Sequence, residues 1–107
     1  MKITITSRHF KAHETLTAEI ESKLNDLSKY NEEILHADVI LSYEKPTHSI
    51  KISEILVKLK DKLLTAKESD DDFSKSFDKA LTKIENQLLK HKDKINSRKH
   101  EAQRSSN

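Results

Sequence analysis

The chain of 107 residues contains no cysteine, no glycine and no tryptophan, and it has a single proline, Pro46. Without cysteine there can be no disulfide, no thiolate nucleophile and no cysteine-based zinc site, which suits a reducing compartment. Without glycine the chain lacks the loops that let a backbone approach a phosphate closely. The phosphate-binding loop and the dinucleotide-binding fingerprint are therefore excluded, and nucleotide-dependent chemistry by those routes is not expected.

Long apolar runs are also missing. No stretch approaches the roughly 20 apolar residues that span a bilayer. The N-terminus alternates apolar and polar residues and does not form the apolar block of a signal peptide. We therefore expect a soluble, cytosolic protein with no membrane partner. The length and the apolar content of 34% suffice for one domain with a modest core.

The charge is distributed unevenly. The formal net charge is only +2, but residues 79–107 hold eight Lys or Arg against three Asp or Glu, a net of +5. The remaining 78 residues hold twelve against fifteen, a net of −3. A positive C-terminal quarter points to nucleic acid or another anionic surface. A solvated helix face followed by a frayed tail would explain the charge equally well.

The first part of the chain predicts a strand followed by a helix. Residues 2–6 alternate polar and apolar side chains, which is the two-residue period of a half-buried strand. From about residue 14 to near residue 30, apolar side chains recur at helical spacing with charged residues between them, which predicts an amphipathic helix. His13 or Thr15 would stand at its N-terminal cap, where histidine is a poor capping residue.

Two further strands are predicted after this helix. Residues 38–44 are apolar and β-branched, and Pro46 closes that strand because proline cannot donate to a sheet ladder. Between residues 50 and 59 the apolar alternation changes phase once, at Ser53 and Glu54. A bulge there, or a loop that delays the start of the strand, would produce this change of phase.

A hairpin and a helix cap follow. Asp61 and Lys62 form the predicted turn, although it lacks the usual glycine, and residues 63–67 form the return strand. The acidic residues of the run 69–72 precede the last helix. Carboxylates at that position accept hydrogen bonds from free backbone N–H groups and suit the positive end of the helix dipole.

The last helix, predicted from Phe73 to about Asn96, has two different faces. At roughly 100° per residue, its apolar residues form one stripe that faces a core. Four lysines fall elsewhere on the helix, within an arc of about 60°. These are Lys79, Lys83, Lys90 and Lys94.

The predicted order is therefore β-α-β-β-β-α. Two helices with single apolar stripes can pack on the same face of a four-stranded sheet, which gives a two-layer α+β domain. We expect this domain to cover residues 1–96. Residues 97–107 have no apolar period, and we expect them to form a disordered basic and polar tail.

No constellation of residues supports an enzyme. Of the six histidines, only His9 and His13 have a four-residue spacing, and they lie at a strand-to-helix junction where shared metal ligation is not assured. Three adjacent aspartates rarely converge on one ion, so helix capping is the better explanation of residues 70–72. No serine or histidine shows a local signature of nucleophilic catalysis. We expect no enzymatic activity, no cofactor and no metal.

The lysine stripe fits a nucleic-acid backbone better than it fits bases. Lysine contacts to phosphate give affinity and salt sensitivity but little sequence information, and Lys92, Arg98 and Lys99 extend the patch. Aromatic residues outside the predicted core are scarce, and base stacking on single strands is poorly supported. The remaining candidates are Phe10, Tyr30 and Tyr43. Recognition of a folded RNA by shape and phosphate contact fits better.

Several segments carry a family resemblance. They are ITSRHF near the start, KLNDLSKY at the end of the first helix, LSYEKPTH around the second strand, and DKALTKIENQLLKHKDKI in the last helix. In these segments the chain resembles the ribosome hibernation promoting factors, also known as the ribosome-associated inhibitor or sigma-54 modulation family. The match runs from Met1 to about Ile95.

The resemblance implies the β-α-β-β-β-α fold and a translation inhibitor that is not an enzyme. Family members bind the small ribosomal subunit at the decoding region, where mRNA and the A- and P-site tRNAs would lie. Their partners are rRNA and ribosomal proteins. The basic positions of the family correspond here to Lys79, Lys83, Lys90, His91, Lys92 and Lys94 on the last helix, and to Arg8, Lys45 and His48 in loops.

The chain departs from the family pattern in a few places. Ser74 stands where members usually carry an aromatic residue, the hairpin turn lacks glycine, and the stretch after His48 is slightly longer. The chain also resembles the short form of the family, without a second, dimerising domain. We therefore expect a monomer when free, and pairing of ribosomes would require a separate ribosome modulation factor. The tail could enter the mRNA channel or be inert. The alternative function is a regulatory module that binds another protein, of the sigma-factor modulation type.

Overall fold

The computed structural model describes the backbone of residues 1–44 and 49–105, and the side chains of residues 1–44 and 49–92. The order of the elements confirms the predicted β-α-β-β-β-α. They are β1 (Lys2–Ser7), α1 (Glu14–Lys29), β2 (Ile34–Tyr43), β3 (Lys51–Leu59), β4 (Leu63–Asp70) and α2 (Phe73–Ser105).

The four strands form one mixed sheet in the order β1-β2-β3-β4. β1 pairs with β2 in parallel, from Lys2 opposite His36 to Ser7 opposite Leu41. A parallel pair needs a crossover connection, and α1 supplies it. The β2/β3 and β3/β4 pairs are antiparallel, so β1 and β4 are the two edge strands.

The core lies on one face of the sheet. Alternate residues of the central strands are buried there, and both helices bury their apolar stripes against them, which confirms the predicted two-layer α+β fold. The buried strand residues include Ala37, Val39, Leu41, Ile55, Val57, Leu59, Leu64 and Ala66. The helices add Ile20, Leu24, Phe73, Phe77, Leu81, Ile84 and Leu88.

The two predicted causes of the phase change in the third strand, a bulge or a delayed start, are both wrong, because β3 already begins at Lys51. β3 is regular at Ser53 and Glu54, and Ser53 is fully buried on the core face. Its hydroxyl lies 2.7 Å from the Ser76 hydroxyl of α2, so a polar residue occupies an apolar position of the alternation. The register shift of the sheet lies in β2, between Ile34 and His36.

The β3/β4 turn lies one residue earlier than predicted. The chain bends at Lys60 and Asp61, and the Leu59 N–H donates to the Lys62 carbonyl at 2.7 Å. Among the described residues only His9 has a positive φ, of 67°. Since no residue of this turn needs the left-handed region, the turn forms without glycine.

The two helices begin differently. His13 stands at the α1 cap without a side-chain hydrogen bond, as expected of a poor capping residue. Asp72 caps α2, because its Oδ1 accepts hydrogen bonds from the backbone N–H groups of Ser74 at 2.7 Å and Lys75 at 3.3 Å. The predicted acidic cap is therefore confirmed at this residue.

α2 is longer than predicted. The described backbone is helical to Ser105, so the expected end near Asn96 is wrong and the helix covers most of the segment expected to be a tail. Residues 97–105 contain neither proline nor glycine, and Lys, Arg, Glu, Gln and Ala favour helix. The domain boundary at residue 96 stays a prediction.

Candidate nucleic-acid interface

α2 runs along β4, and side chains at every fourth position of the helix contact the strand and the segments that flank it. Residues at this spacing lie on one side of a helix, so they form a continuous row. The contacts in chain order are Lys75 with the Asp71 carboxylate (3.2 Å), Lys79 with the Asp70 carboxylate (2.8 Å), Lys83 with the Glu68 carboxylate, Gln87 with the Thr65 carbonyl (2.9 Å) and His91 with the Asp61 carboxylate (3.9 Å).

The first two predicted RNA-binding lysines therefore already have acidic partners. Lys79 also donates to the Ser69 carbonyl at 3.2 Å. The hydrogen bond from Lys79 lowers the pKa of Asp70 to about 2, and the same bond raises the pKa of Lys79. Lys83 is held in the same way by Glu68. The N-terminal half of the lysine stripe is largely neutralised by β4.

The next part of the helix keeps its positive charge. Lys90 is exposed, and no described residue forms a hydrogen bond or an ion pair with its ammonium group. Lys92 donates to the Tyr30 carbonyl at 2.9 Å, a neutral partner. The His91 side chain is only 13% exposed, and its Nε2 faces Asp61 of the β3/β4 turn. Within the described side chains of α2, positive charge without an acidic partner thus begins at Lys90.

The other predicted binding residues lie apart from this region. Arg8 is exposed directly after β1, and its N–H donates to the Leu41 carbonyl at 2.9 Å, at the end of the sheet opposite to the β3/β4 turn. The structure therefore does not bring Arg8 close to Lys90. Lys94, Arg98 and Lys99 lie on the α2 backbone, in the part whose side chains are not described, and Lys45 and His48 lie outside the described residues.

Sequence reasoning missed a second group of cations at the β3/β4 turn. Lys60 and Lys62 are exposed on the turn, and Lys58 is half-buried at the end of β3. In the register, Lys58 lies opposite His36, and His36 lies opposite Lys2. The signal was present in the sequence, because lysine recurs at every second position of this segment and alternate strand residues share a face.

The chain matches one protein family over most of its length. The family described as sigma 54 modulation protein / S30EA ribosomal protein matches residues 3–96. The chain belongs to this family. The match runs from Ile3 of β1 into the basic part of α2, so Lys90, Lys92 and the lysines of the β3/β4 turn lie within it.

Individual relatives agree with this assignment. The chain is 30% identical over 95 residues to a ribosome hibernation promoting factor of Salmonella typhimurium, a match that covers 89% of this chain and 97% of the relative. A ribosomal subunit interface protein from Coxiella burnetii superposes with a TM-score of 0.79 at 29% identity, covering 87% of this chain and 99% of that one. The N-terminal domain of Thermus thermophilus Protein Y superposes with a TM-score of 0.74 at 27% identity, covering 85% and 99%.

Ser74 stands where the family usually has an aromatic residue, and in this protein its hydroxyl contacts α1. Its hydroxyl lies 2.7 Å and 2.9 Å from the two carboxylate oxygens of Glu19 on α1. This hydrogen bond, together with one from Lys23, lowers the pKa of Glu19. Ser74 therefore joins the two helices at this position.

The aromatic residues give little stacking surface. Phe10 and Tyr43 are half-buried and pack with Phe73 in one cluster, with ring centroids 4.8 to 5.4 Å apart. Of the three stacking candidates only Tyr30 is exposed, at 77%. The candidate interface is therefore dominated by cations, and Tyr30 is the one accessible ring among these three candidates.

Other kinds of site are not apparent in the described residues. Their His, Asp and Glu side chains form no group of three or more that could hold a metal ion. None of the helices, as far as the structure describes them, has the length and apolar content required to cross a membrane.

Proposed function

We propose that this protein is a ribosome hibernation factor that binds the small ribosomal subunit at the decoding region and inhibits translation. The observation that carries the proposal is the family match over residues 3–96, which is joined by a relative of nearly equal length named as a ribosome hibernation promoting factor. The proposed mechanism is steric. The bulk of the domain occupies the space that mRNA and the A- and P-site tRNAs would take.

Electrostatic capture by α2 would bring the domain to the subunit. Lys90 offers an ammonium group without a described partner, and Lys92 keeps its charge on a neutral carbonyl. Phosphates of rRNA are the natural counter-charge for such groups. In the proposed complex, His91, Lys94, Arg98 and Lys99 continue the same contact, and Arg8, Lys45 and His48 add contacts from loops.

Lys79 and Lys83 would take part by exchanging partners. Each is more than half exposed, so a phosphate can reach it, but each would have to leave or share a carboxylate of β4. This exchange reduces the net gain from those two contacts, because an existing ion pair is weakened when the new one forms. Lys90 is therefore proposed as the stronger single contributor.

The remaining parts of the proposal follow from this binding mode. The protein acts in the cytoplasm, without a cofactor and without catalysis, on rRNA and ribosomal proteins as partners. It is proposed to be a monomer when free. Pairing of two ribosomes would use a separate ribosome modulation factor, whereas inactivation of single ribosomes would need the domain alone.

A second candidate function comes from the family description, which also names modulation of sigma 54. In that case the domain would be a regulatory module that binds a protein. Sedimentation of cell lysates separates the two functions. Under the ribosome proposal, the protein sediments with small subunits or whole ribosomes at low salt and is released at high salt. A protein that stays at the top of the gradient under both conditions would refute the proposal.

A charge reversal sharpens this test. Lys90→Glu should leave stability nearly unchanged, because the residue is exposed and has no partner among the described side chains. Affinity for purified small subunits should fall, and the dependence of the binding constant on salt should become shallower. The matched control is Lys11→Glu, which makes the same charge change at an exposed residue before α1. Equal losses from both variants would contradict a contact at α2.

A further inference from the structure

One end of the domain gathers most of the unpaired cations that the structure describes. At this end, here named the turn end, β1 and β2 begin, β3 ends, β4 begins and α1 ends. The β3/β4 turn lies beside α2 there, with the Asp61 carboxylate 3.9 Å from His91 Nε2. The basic residues of the turn end are Lys2, Lys29, His36, Lys58, Lys60, Lys62, Lys90, His91 and Lys92.

Three of these residues form a row across the sheet. Lys2 lies opposite His36, and His36 lies opposite Lys58, on the face turned away from the helices. Neighbouring strands are about 4.8 Å apart, so the three side chains leave the sheet within about 10 Å of one another. Basic residues directly opposite each other destabilise a sheet when they are charged. Among the residues that the structure describes, Asp38 alone forms an ion pair with the row, its carboxylate 3.9 Å from His36 Nδ1.

The turn extends the row. Lys60 and Lys62 are exposed, and neither ammonium group has a hydrogen bond or an ion pair within the described residues. This contrasts with Lys79 and Lys83, which β4 neutralises. The Leu59–Lys62 backbone bond closes the turn, and the Asp61 carboxylate lies 3.9 Å from His91 Nε2 of α2. The turn lysines therefore lie beside α2 without being neutralised by the described residues.

Exposed apolar side chains accompany these cations. Tyr30 is 77% exposed, Leu35 54%, Leu63 49% and Leu89 59%, and all four lie at the turn end. A cavity of about 240 Å³ opens between the end of α1 and α2, beside Tyr30 and Leu89, and it is also lined by one acidic side chain, Glu85, and one basic side chain, Lys92. RNA presents both chemistries that this surface matches, since its phosphates bind lysines and its unstacked bases pack on aromatic and apolar groups.

We infer that the RNA-binding surface extends from Lys90 of α2 around the turn end to the sheet, where Lys2, Lys58, Lys60 and Lys62 contact backbone phosphates. The inference rests on the proposed function, because the RNA it names is that of the ribosome. The inference goes beyond the proposed function because it assigns RNA binding to the sheet and to the β3/β4 turn. Asp61, which lies between the two turn lysines, weakens this binding by repelling phosphate.

The test compares two double variants with the same loss of charge. Lys58→Gln/Lys62→Gln removes two cations of the turn end, and Lys11→Gln/Lys67→Gln removes two exposed cations elsewhere, Lys67 lying opposite Glu54. Binding to purified small subunits is measured across a range of salt concentrations, and thermal melting checks that each variant is folded. The turn-end variant should bind roughly tenfold more weakly. The slope of the logarithm of its binding constant against the logarithm of the salt concentration should be shallower by about 2. The control should keep wild-type binding, apart from a small effect of net charge.

Asp61→Asn gives the opposite expectation. Removing the carboxylate between the turn lysines should tighten binding several-fold, which a merely structural turn would not do. If the wild-type protein binds small subunits but the two double variants lose the same amount of affinity, or neither loses any, the inference is overturned and the proposed function stands. A wild-type protein that does not bind small subunits at low salt overturns the proposed function, and the inference with it.

Discussion

The Lys79 ammonium group lies 2.8 Å from the Asp70 carboxylate and also donates to the Ser69 carbonyl. The Gln87 side chain likewise donates to the Thr65 carbonyl. Side chains of α2 therefore form hydrogen bonds with backbone carbonyls of the edge strand β4. Edge strands offer unpaired backbone groups to other chains, and covering them prevents unwanted pairing. The face of α2 that carries its lysines therefore also stabilises the sheet.

The titration of Asp70 tests this contact. We expect a pKa of about 2, because the hydrogen bond from Lys79 favours the carboxylate. Since the folded pKa lies below the ordinary value of 3.8, the stabilisation is present above about pH 4 and is lost as the pH falls towards 2. NMR titration of the side-chain carboxyl carbon measures it. Lys79→Gln should return the pKa of Asp70 towards its ordinary value, and a wild-type pKa already near that value would refute the ion pair.

The buried Ser53–Ser76 pair predicts unequal costs for two similar substitutions. Ser76 also donates to the Phe73 carbonyl at 3.2 Å, so it keeps a partner when Ser53 is replaced. Ser76→Ala leaves the Ser53 hydroxyl buried without a partner and should cost about 1–3 kcal/mol, whereas Ser53→Ala should cost about 1 kcal/mol or less. Urea unfolding measures both. The double variant should cost less than the sum of the two, and strict additivity would mean that the hydroxyls do not interact.

The α2 cap predicts a difference between two neighbouring aspartates. Asp72 accepts hydrogen bonds from two backbone N–H groups, whereas Asp71 forms an exposed ion pair with Lys75. Asp72→Ala should lower the free energy of unfolding by about 1 kcal/mol, and Asp71→Ala should change it by less than about 0.5 kcal/mol. Thermal or denaturant unfolding of the two variants compares them directly. The reverse order would exclude Asp72 as the cap.

The pairing of Lys83 with Glu68 predicts a gain of binding from the loss of an acid. Glu68→Gln frees the Lys83 ammonium group for phosphate, so affinity for small subunits should rise and its salt dependence should steepen. The cost in stability should stay below about 1 kcal/mol, as for other exposed ion pairs. Glu21→Gln, an exposed residue of α1, is the charge-matched control. Equal gains from both variants would show an effect of net charge rather than release of Lys83.

The order of the elements could be predicted from the sequence because each apolar period is strong and local. Ser53 misled the prediction of β3, since periodicity treats a serine as an outward residue and cannot see its partner on α2. The end of the last helix was misjudged for a related reason. Helix can continue on backbone propensity without an apolar stripe, and nothing in residues 97–105 stops it.

The candidate site was only half predictable. The angular arc of the α2 lysines follows from helix geometry alone, but their neutralisation depends on Glu68 and Asp70, which lie on a strand that only the fold brings alongside. The row of Lys2, His36 and Lys58 likewise needs the register of three strands. Contacts between distant parts of the chain, and not local pattern, decide which cations are free.

The most direct test of the central claim is competition for the small subunit. Binding of the wild-type protein is measured on empty small subunits and on subunits preloaded with mRNA and a P-site tRNA. Occlusion of the decoding region predicts tight binding to the empty subunits, strong loss of binding to the loaded ones, and release of the protein as mRNA and tRNA are added. Equal affinity for empty and loaded subunits would contradict the account.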